Sequence, residues 1–248
     1  MPLPALLRPI VDLAIPPRCP ACGEIVGDDL QFCAQCWTSL RFIGDPGCAR
    51  CGRPFAHGRS DETLCAPCLS SPPVFDGLKA VVIYDDLSRQ VVLRLKHGGR
   101  IGLARLIATL MDRHVRTLGS DTVLVPVPLH RWRLWRRGFN QSILIAREVA
   151  ARQGLTVEPD MIRRIRATPP LKGFSPRERD RIVRRAFAIN TARAAILAGR
   201  DVLLVDDVYT SGATSHACVR LLKKAGANSV TILCWARVLR DAEEGAEA

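Results

Sequence analysis

The stretch richest in chemical possibility is Val202-Leu-Leu-Val-Asp-Asp-Val-Tyr-Thr-Ser-Gly-Ala-Thr214. An apolar run ends in two consecutive acids, Asp206 and Asp207, and a loop of small residues follows at once. Two carboxylates closing an apolar strand are costly to desolvate unless they bind something. The loop of Thr210, Ser211, Gly212, Ala213 and Thr214 opens a helical pattern. Its backbone N–H groups and hydroxyls therefore lie at the positive end of a helix dipole. No large side chain bars a phosphate from close approach. The Gly-Lys-Ser/Thr ending of a nucleotide P-loop is missing, so this is an anion loop of another kind.

A second set of residues suits metal. Eight of the ten cysteines fall between residues 19 and 68 as four Cys-x-x-Cys pairs: Cys19/Cys22, Cys33/Cys36, Cys48/Cys51 and Cys65/Cys68. Two intervening residues let both sulfurs of a tight turn reach one tetrahedral ion. Gly23 and Gly52, each directly after a pair, suit the left-handed turn of such a knuckle. The pattern resembles two tandem zinc ribbons holding two zinc ions through four thiolates each; an interleaved pairing fits the same spacing. Four thiolates leave no open coordination position, so both sites are expected to be structural. A segment of roughly fifty residues so poor in large apolar side chains needs such staples to fold. His57 reads as a loop residue, and Cys218 and Cys234 as core.

Charge adds a third signal. The 248 residues carry 36 Lys/Arg and 24 Asp/Glu, net +12, with net −1 over 1–75 and net +10 over 131–185 alone. Such a local excess fits a polyanion, nucleic acid or a phosphorylated metabolite, or a solvated arginine-rich face. Within it Trp132, Trp135 and Phe139 alternate with Arg131, Arg133, Arg136 and Arg137. Rings among guanidinium groups can stack unpaired bases; the same rings can equally anchor a hood over a site.

With 48% apolar residues the composition excludes a disordered, collagenous or coiled-coil chain. No run of eighteen apolar residues occurs, so no membrane partner is expected. Leu3, Leu6, Leu7, Ile10 and Ala14 share one helical face, and Arg8 and Asp12 interrupt the apolar run. That pattern predicts an amphipathic helix rather than a secretory signal, and a cytoplasmic protein.

Holding the acids, the loop and the basic run requires a scaffold, and the hydrophobic pattern beyond Ser70-Ser71-Pro72-Pro73 supplies one. Strands are predicted over Lys79–Tyr84, Thr122–Val127, Arg200–Asp207 and Ser229–Ala236. Helices are predicted over Ser88–Lys96, Ile101–Leu118, Asn140–Gln153 and Ala213–Ala225. Apolar strands alternating with helices imply an α/β fold with a parallel sheet covered on both faces, whose ligands bind at the carboxyl ends of the strands. The expected division is an amphipathic helix over 1–18, a double zinc ribbon over 19–70, an α/β domain over 71–240 and an acidic tail over 241–248.

The strand, paired acids and Thr-Ser-Gly loop resemble the phosphoribosyl pyrophosphate motif of type I phosphoribosyltransferases. Together with the cysteine ribbons, Val123–Pro128 (VLVPVP) and Arg137-Gly138-Phe139-Asn140-Gln141, nearly the whole chain resembles the ComF family of competence protein F-like phosphoribosyltransferase homologues. The resemblance implies a type I phosphoribosyltransferase fold behind the cysteine-rich module. It implies that Thr210–Thr214 binds the ribose 5-phosphate, that Asp206 and Asp207 bind the ribose hydroxyls, and that magnesium rides on the pyrophosphate. Leu129, His130 and Arg131 would lie beside the leaving group. Lys96 matches a basic position of the family; with Arg133, Arg136, Arg137, Asn140 and Gln141 it is a candidate contact to substrate or nucleic acid.

The implied activity is phosphoribosyl transfer to an acceptor, linked to DNA uptake. The alternative is a non-catalytic scaffold that binds single-stranded DNA, and the ribbons would suit a helicase of the same pathway. No Ser-His-Asp or Cys-His arrangement argues for covalent chemistry. Two departures bear on catalysis: Thr168-Pro169-Pro170-Leu171 stands where the family shows Thr-x-Pro-Gln, and Arg179-Asp180-Arg181-Ile182 where it shows Arg-x-x-Asn.

Overall fold

Apolar runs with no polar interruption, such as Val202–Val205, make strands that are buried on both sides, and such strands need layers above and below. A computed structural model describes residues 16–55, 62–97, 99–116, 118–167, 178, 182, 183 and 185–239. The N-terminal helix expected over 1–18 falls outside these but for its last three residues. The acidic tail, His57, Thr168–Leu171 and Arg179–Arg181 also fall outside.

In chain order the elements are α1 (Ala34–Ser39), α2 (Ala66–Ser70), β1 (Gly77–Ile83), α3 (Asp86–His97), α4 (Leu103–Met111), β2 (Val123–Pro126), α5 (Arg131–Arg137), α6 (Gln141–Gln153), β3 (Thr156–Val157), β4 (Ile162–Arg164), β5 (Phe187–Ile189), β6 (Asp201–Tyr209), α7 (Ala213–Lys224) and β7 (Ser229–Arg237). Five strands form one sheet in the order β1-β7-β6-β2-β3, with every pairing parallel. The pleat sends Leu203 and Val205 to one face and Val202 and Leu204 to the other. The first face packs under α3, α4 and α6 through Leu95, Ile107 and Ile145; the second packs under α7 through Val219 and Leu222.

From β2 the chain runs through α6 to β3, and from β6 through α7 to β7. These crossovers diverge from adjacent strands, so a crevice opens at the carboxyl ends of β2 and β6, the place where open α/β sheets bind ligands.

Several features differ from the sequence expectation. The two-residue edge strand β3 matches no predicted strand. The helix predicted over Ile101–Leu118 stops at Met111 and tightens into a 3-10 turn, Asp112–His114. There buried Asp112 accepts from Arg152 Nε (2.8 Å) and Nη2 (2.5 Å), which fixes the turn against the end of α6. A second, two-stranded antiparallel sheet of β4 and β5 has no counterpart among the predicted strands. Nor does α5 among the predicted helices; it lies inside the basic run and buries none of its residues. Among the described residues no helix is long and apolar enough to cross a membrane.

Candidate ligand crevice and metal centres

β6 carries Asp206 and Asp207 into the crevice, where they are 9% and 5% exposed. Lys96, near the end of α3, ion-pairs with Asp207 Oδ2, and Gln141 Nε2 donates to Asp207 Oδ1 at 3.2 Å. Arg137 Nη1 in turn donates to Gln141 Oε1 at 2.5 Å. Ser142 Oγ at 3.3 Å and the Asp207 backbone N–H at 2.9 Å donate to Asp206 Oδ1. Burial, with the charge of Asp207 alongside, raises the Asp206 carboxyl well above the usual carboxylate range.

The Arg137-Gly138-Phe139-Asn140-Gln141 string works as a clamp on this pair. Asn140 caps α6 by accepting from Ser142 N at 2.9 Å, and its Nδ2 donates to the Val127 carbonyl at 3.0 Å. Both ends of that amide are thus spent on structure, tying the exit of β2 to α6. Gln141 then ties α6 to β6. Cations converge here as well. Burial and the nearby charges of Arg137, Lys96 and Arg136 lower the His97 ring below its usual value, so the crevice suits an anion.

At the far side of the acids the loop turns at Gly212, with φ 73°. A Cβ there would meet Tyr209 Oη at 2.5 Å and His216 Nε2 at 2.7 Å, and these two atoms are hydrogen-bonded at 3.0 Å. Only glycine fits that backbone and that gap. Thr210 and Ser211 are exposed, Ala213 and Thr214 half-buried, so the loop presents its polar face outward. Leu129 and His130 are half-buried at the exit of β2, and Arg131, Arg133 and Arg136 are exposed. His130 Nδ1 accepts from Trp132 N at 3.4 Å, which caps α5. Trp132 and Trp135 are 61% and 75% exposed and stack on each other at 5.1 Å and 23°. Trp132 and Trp135 are therefore not core anchors. Phe139 is half-buried.

Residue spacing does not reveal three of these contacts. Ser142 as a donor to Asp206, the Lys96–Asp207 pair and the Tyr209–His216 pair all join residues whose meeting depends on the tertiary path.

The cysteines gather as Cys19, Cys22, Cys33 and Cys36, and as Cys48, Cys51, Cys65 and Cys68, with all four sulfurs of each group within 4.8 Å of one another. Consecutive pairs therefore share a site, and the interleaved alternative is excluded. Cys22 Sγ to Cys33 Sγ and Cys51 Sγ to Cys65 Sγ are both 3.6 Å. A tetrahedral zinc with sulfur ligands sets neighbouring sulfurs about 3.8 Å apart, so the donor sets fit two structural zinc ions. Backbone N–H groups of Cys36, Cys51 and Cys65 point at ligand sulfurs at 3.3 to 3.5 Å, as thiolates require.

Neither ribbon hangs free. Cys19, Ala21, Cys36 and Leu40 belong to the core under α3 and α4, and Arg94 Nη1 on α3 donates to the Cys19 carbonyl at 2.9 Å. Cys218 and Cys234 are buried in the second core, as expected.

Two family models match the chain. The double zinc ribbon domain matches residues 10–69 and the phosphoribosyl transferase domain matches residues 139–246. The DNA utilization protein YhgH of Salmonella typhimurium is 34% identical over 198 residues, covering 77% of this chain and 84% of the relative. Competence protein F of Haemophilus influenzae is 26% identical over 83% of this chain and 90% of its own length. Competence protein ComFC of Bacillus subtilis is 29% identical over 82% of each.

Proposed function

This chain belongs to the ComF family of proteins with a double zinc ribbon and a phosphoribosyltransferase-type domain, and from that footing we propose that it binds phosphoribosyl pyrophosphate with magnesium and transfers the phosphoribosyl group to an acceptor. The observation that carries the reading is the juxtaposition, in one crevice, of a buried acid pair with a glycine-turned loop opening α7. A sugar phosphate needs both: donors for its phosphate and acceptors for its hydroxyls. The loop N–H groups hold the 5-phosphate at the helix N-terminus. Asp206 and Asp207 accept hydrogen bonds from the ribose hydroxyls. Leu129, His130 and Arg131 at the exit of β2 flank the pyrophosphate, with Arg136, Arg137 and Lys96 adding positive potential.

Magnesium would be carried by the pyrophosphate rather than by the acids. Asp207 already has Lys96 on one oxygen and Gln141 on the other, and burial disfavours the charged form of Asp206. When bound, the ion supplies charge neutralisation to the leaving group. As the bond from C1 to the pyrophosphate oxygen breaks, positive charge grows on the sugar while an acceptor atom closes on C1. Both acids, fixed by Lys96, Gln141 and Ser142, hold the hydroxyls in place, and Asp207 stabilises that charge. Catalysis of this kind rests on positioning and needs no protein nucleophile.

The test is calorimetric titration of ribose 5-phosphate, and of phosphoribosyl pyrophosphate with magnesium, into the zinc-loaded protein. Asp207→Asn should weaken both by roughly 10- to 100-fold, the value of a hydrogen bond to a charged group. Failure of the unaltered protein to take up either compound would end the reading.

A specific observation favours a second role on the same molecule. The stacked, exposed Trp132 and Trp135 stand among exposed arginines on α5. That surface suits single-stranded DNA, in line with the DNA-related names of the relatives, and would let the protein serve as a scaffold in DNA uptake.

A further inference from the structure

We propose that the second zinc ribbon braces the anion loop through Phe75, Tyr209 and His216, which act as positioning residues for that loop. The ligand's identity rests on the phosphoribosyl reading; the brace does not. The connection runs through contacts of this chain alone. Arg50, inside the Cys48–Cys51 knuckle, donates from Nη1 to the Phe75 carbonyl at 3.1 Å and accepts at its own carbonyl from Leu78 N at 2.9 Å. Arg237, buried at the end of β7, donates to the Cys51 carbonyl. Phe75 is 2% exposed and meets the Tyr209 ring edge-on at 6.2 Å and the His216 ring at 5.7 Å.

Those two polar rings close the gap beneath Gly212, their hydrogen bond spanning it at 3.0 Å, and no side chain fits between them and the loop. Tyr209 is also held by its carbonyl, which accepts from Val238 N at 2.9 Å. Thr210 and Ser211 at the loop tip are exposed, so the rings beneath Gly212 decide how well the loop is pre-formed. The first ribbon is tied elsewhere, through Arg94 on α3 and the core on the opposite face of the sheet. Loosening one ribbon should therefore not resemble loosening the other.

Amide hydrogen exchange over residues 210–214 in the zinc-loaded full chain tests this directly. Tyr209→Phe keeps the ring and drops the hydroxyl that meets His216. Arg50→Ala cuts a knuckle tie and leaves all four thiolates. Each should speed exchange of the loop about fivefold and raise the dissociation constant of ribose 5-phosphate by a similar factor. Arg94→Ala, which cuts one tie of the first ribbon, should leave loop exchange as it was. Unchanged exchange in Tyr209→Phe and Arg50→Ala, with two zinc ions retained, overturns the proposal; so does equal acceleration in Arg94→Ala. Where Arg50→Ala loses zinc, Tyr209→Phe decides. Because exchange needs no ligand, a protein that ignores ribose 5-phosphate counts against the phosphoribosyl reading and leaves the brace to be judged on its own.

Discussion

Burial and the adjacent Asp207 push the Asp206 carboxyl up, and that direction fixes the sign of its part in stability. The folded state binds this proton more tightly than the unfolded chain does. The resulting stability is complete below the unfolded carboxylate value near 3.8 and is lost as pH rises through the folded one. Asp206→Asn, uncharged and of the same shape, should therefore melt at a higher temperature than the parent at pH 8. The gain should vanish near pH 4, while ribose 5-phosphate binding suffers. Thermal melts across that range check it; a variant that melts lower at pH 8 would mean that the charge is well compensated inside.

His114 runs the other way. Burial and then Arg113 lower its ring to about 4, so its share of stability holds above 6.5 and disappears as pH falls toward 4. His114→Gln should flatten the acid limb of the stability curve. Asp206, Asp207 and the loop are legible in the amino-acid sequence because adjacent carboxylates after an apolar run are rare without a purpose. Lys96 is legible only through a family resemblance, since nothing local says that α3 ends against β6.

At the scale of elements, the predicted strands fall within one or two residues of the observed ones, because each is a buried run whose ends are marked by polar residues or glycine. α6 and α7 are equally plain from their periodicity. The basic run is not: its charge shows and its helix does not, since seven residues that bury nothing leave no periodic signature. The small β4–β5 sheet escapes for a similar reason, its three-residue strands being too short to alternate visibly.

The exposure of α5 makes a clean prediction. Replacing Trp132 and Trp135 together by Ala removes no core contact and should leave the melting temperature within a degree or two. Stacking on aromatic rings contributes about 1 to 3 kcal/mol per base, so affinity for a single-stranded oligonucleotide should drop at least tenfold. Arg133→Ala with Arg136→Ala should instead flatten the dependence of binding on salt. Fluorescence titrations at two salt concentrations distinguish the two effects. Oligonucleotide binding indifferent to all four changes would remove α5 from any DNA-binding role.

On the scale of the whole molecule, the first ribbon shares a core with the sheet, and that changes how zinc should act. A separate module behind a Pro-rich linker would melt on its own when stripped of metal. Here, however, Ile43 N donates to the Val81 carbonyl at 2.9 Å and Ile83 N to the Arg41 carbonyl at 2.8 Å, so the segment between the two cysteine groups covers the β1 edge. Cys19, Cys36 and Leu40 fill the same core as Leu95 and Ile107. A structural zinc site contributes its binding energy to folding, and in this arrangement the sheet shares in it.

Removing zinc with a strong chelator should therefore lower one cooperative transition of the entire chain in scanning calorimetry. A ribbon transition appearing beneath an unmoved main peak would contradict the shared core. For the same reason a chain beginning at residue 71 should collect as aggregate, with the β1 edge unpaired and the face around Val81 and Leu95 bare. If that shortened chain were soluble, with a native sheet by circular dichroism, the ribbons would be an appendage and the brace beneath Gly212 dispensable.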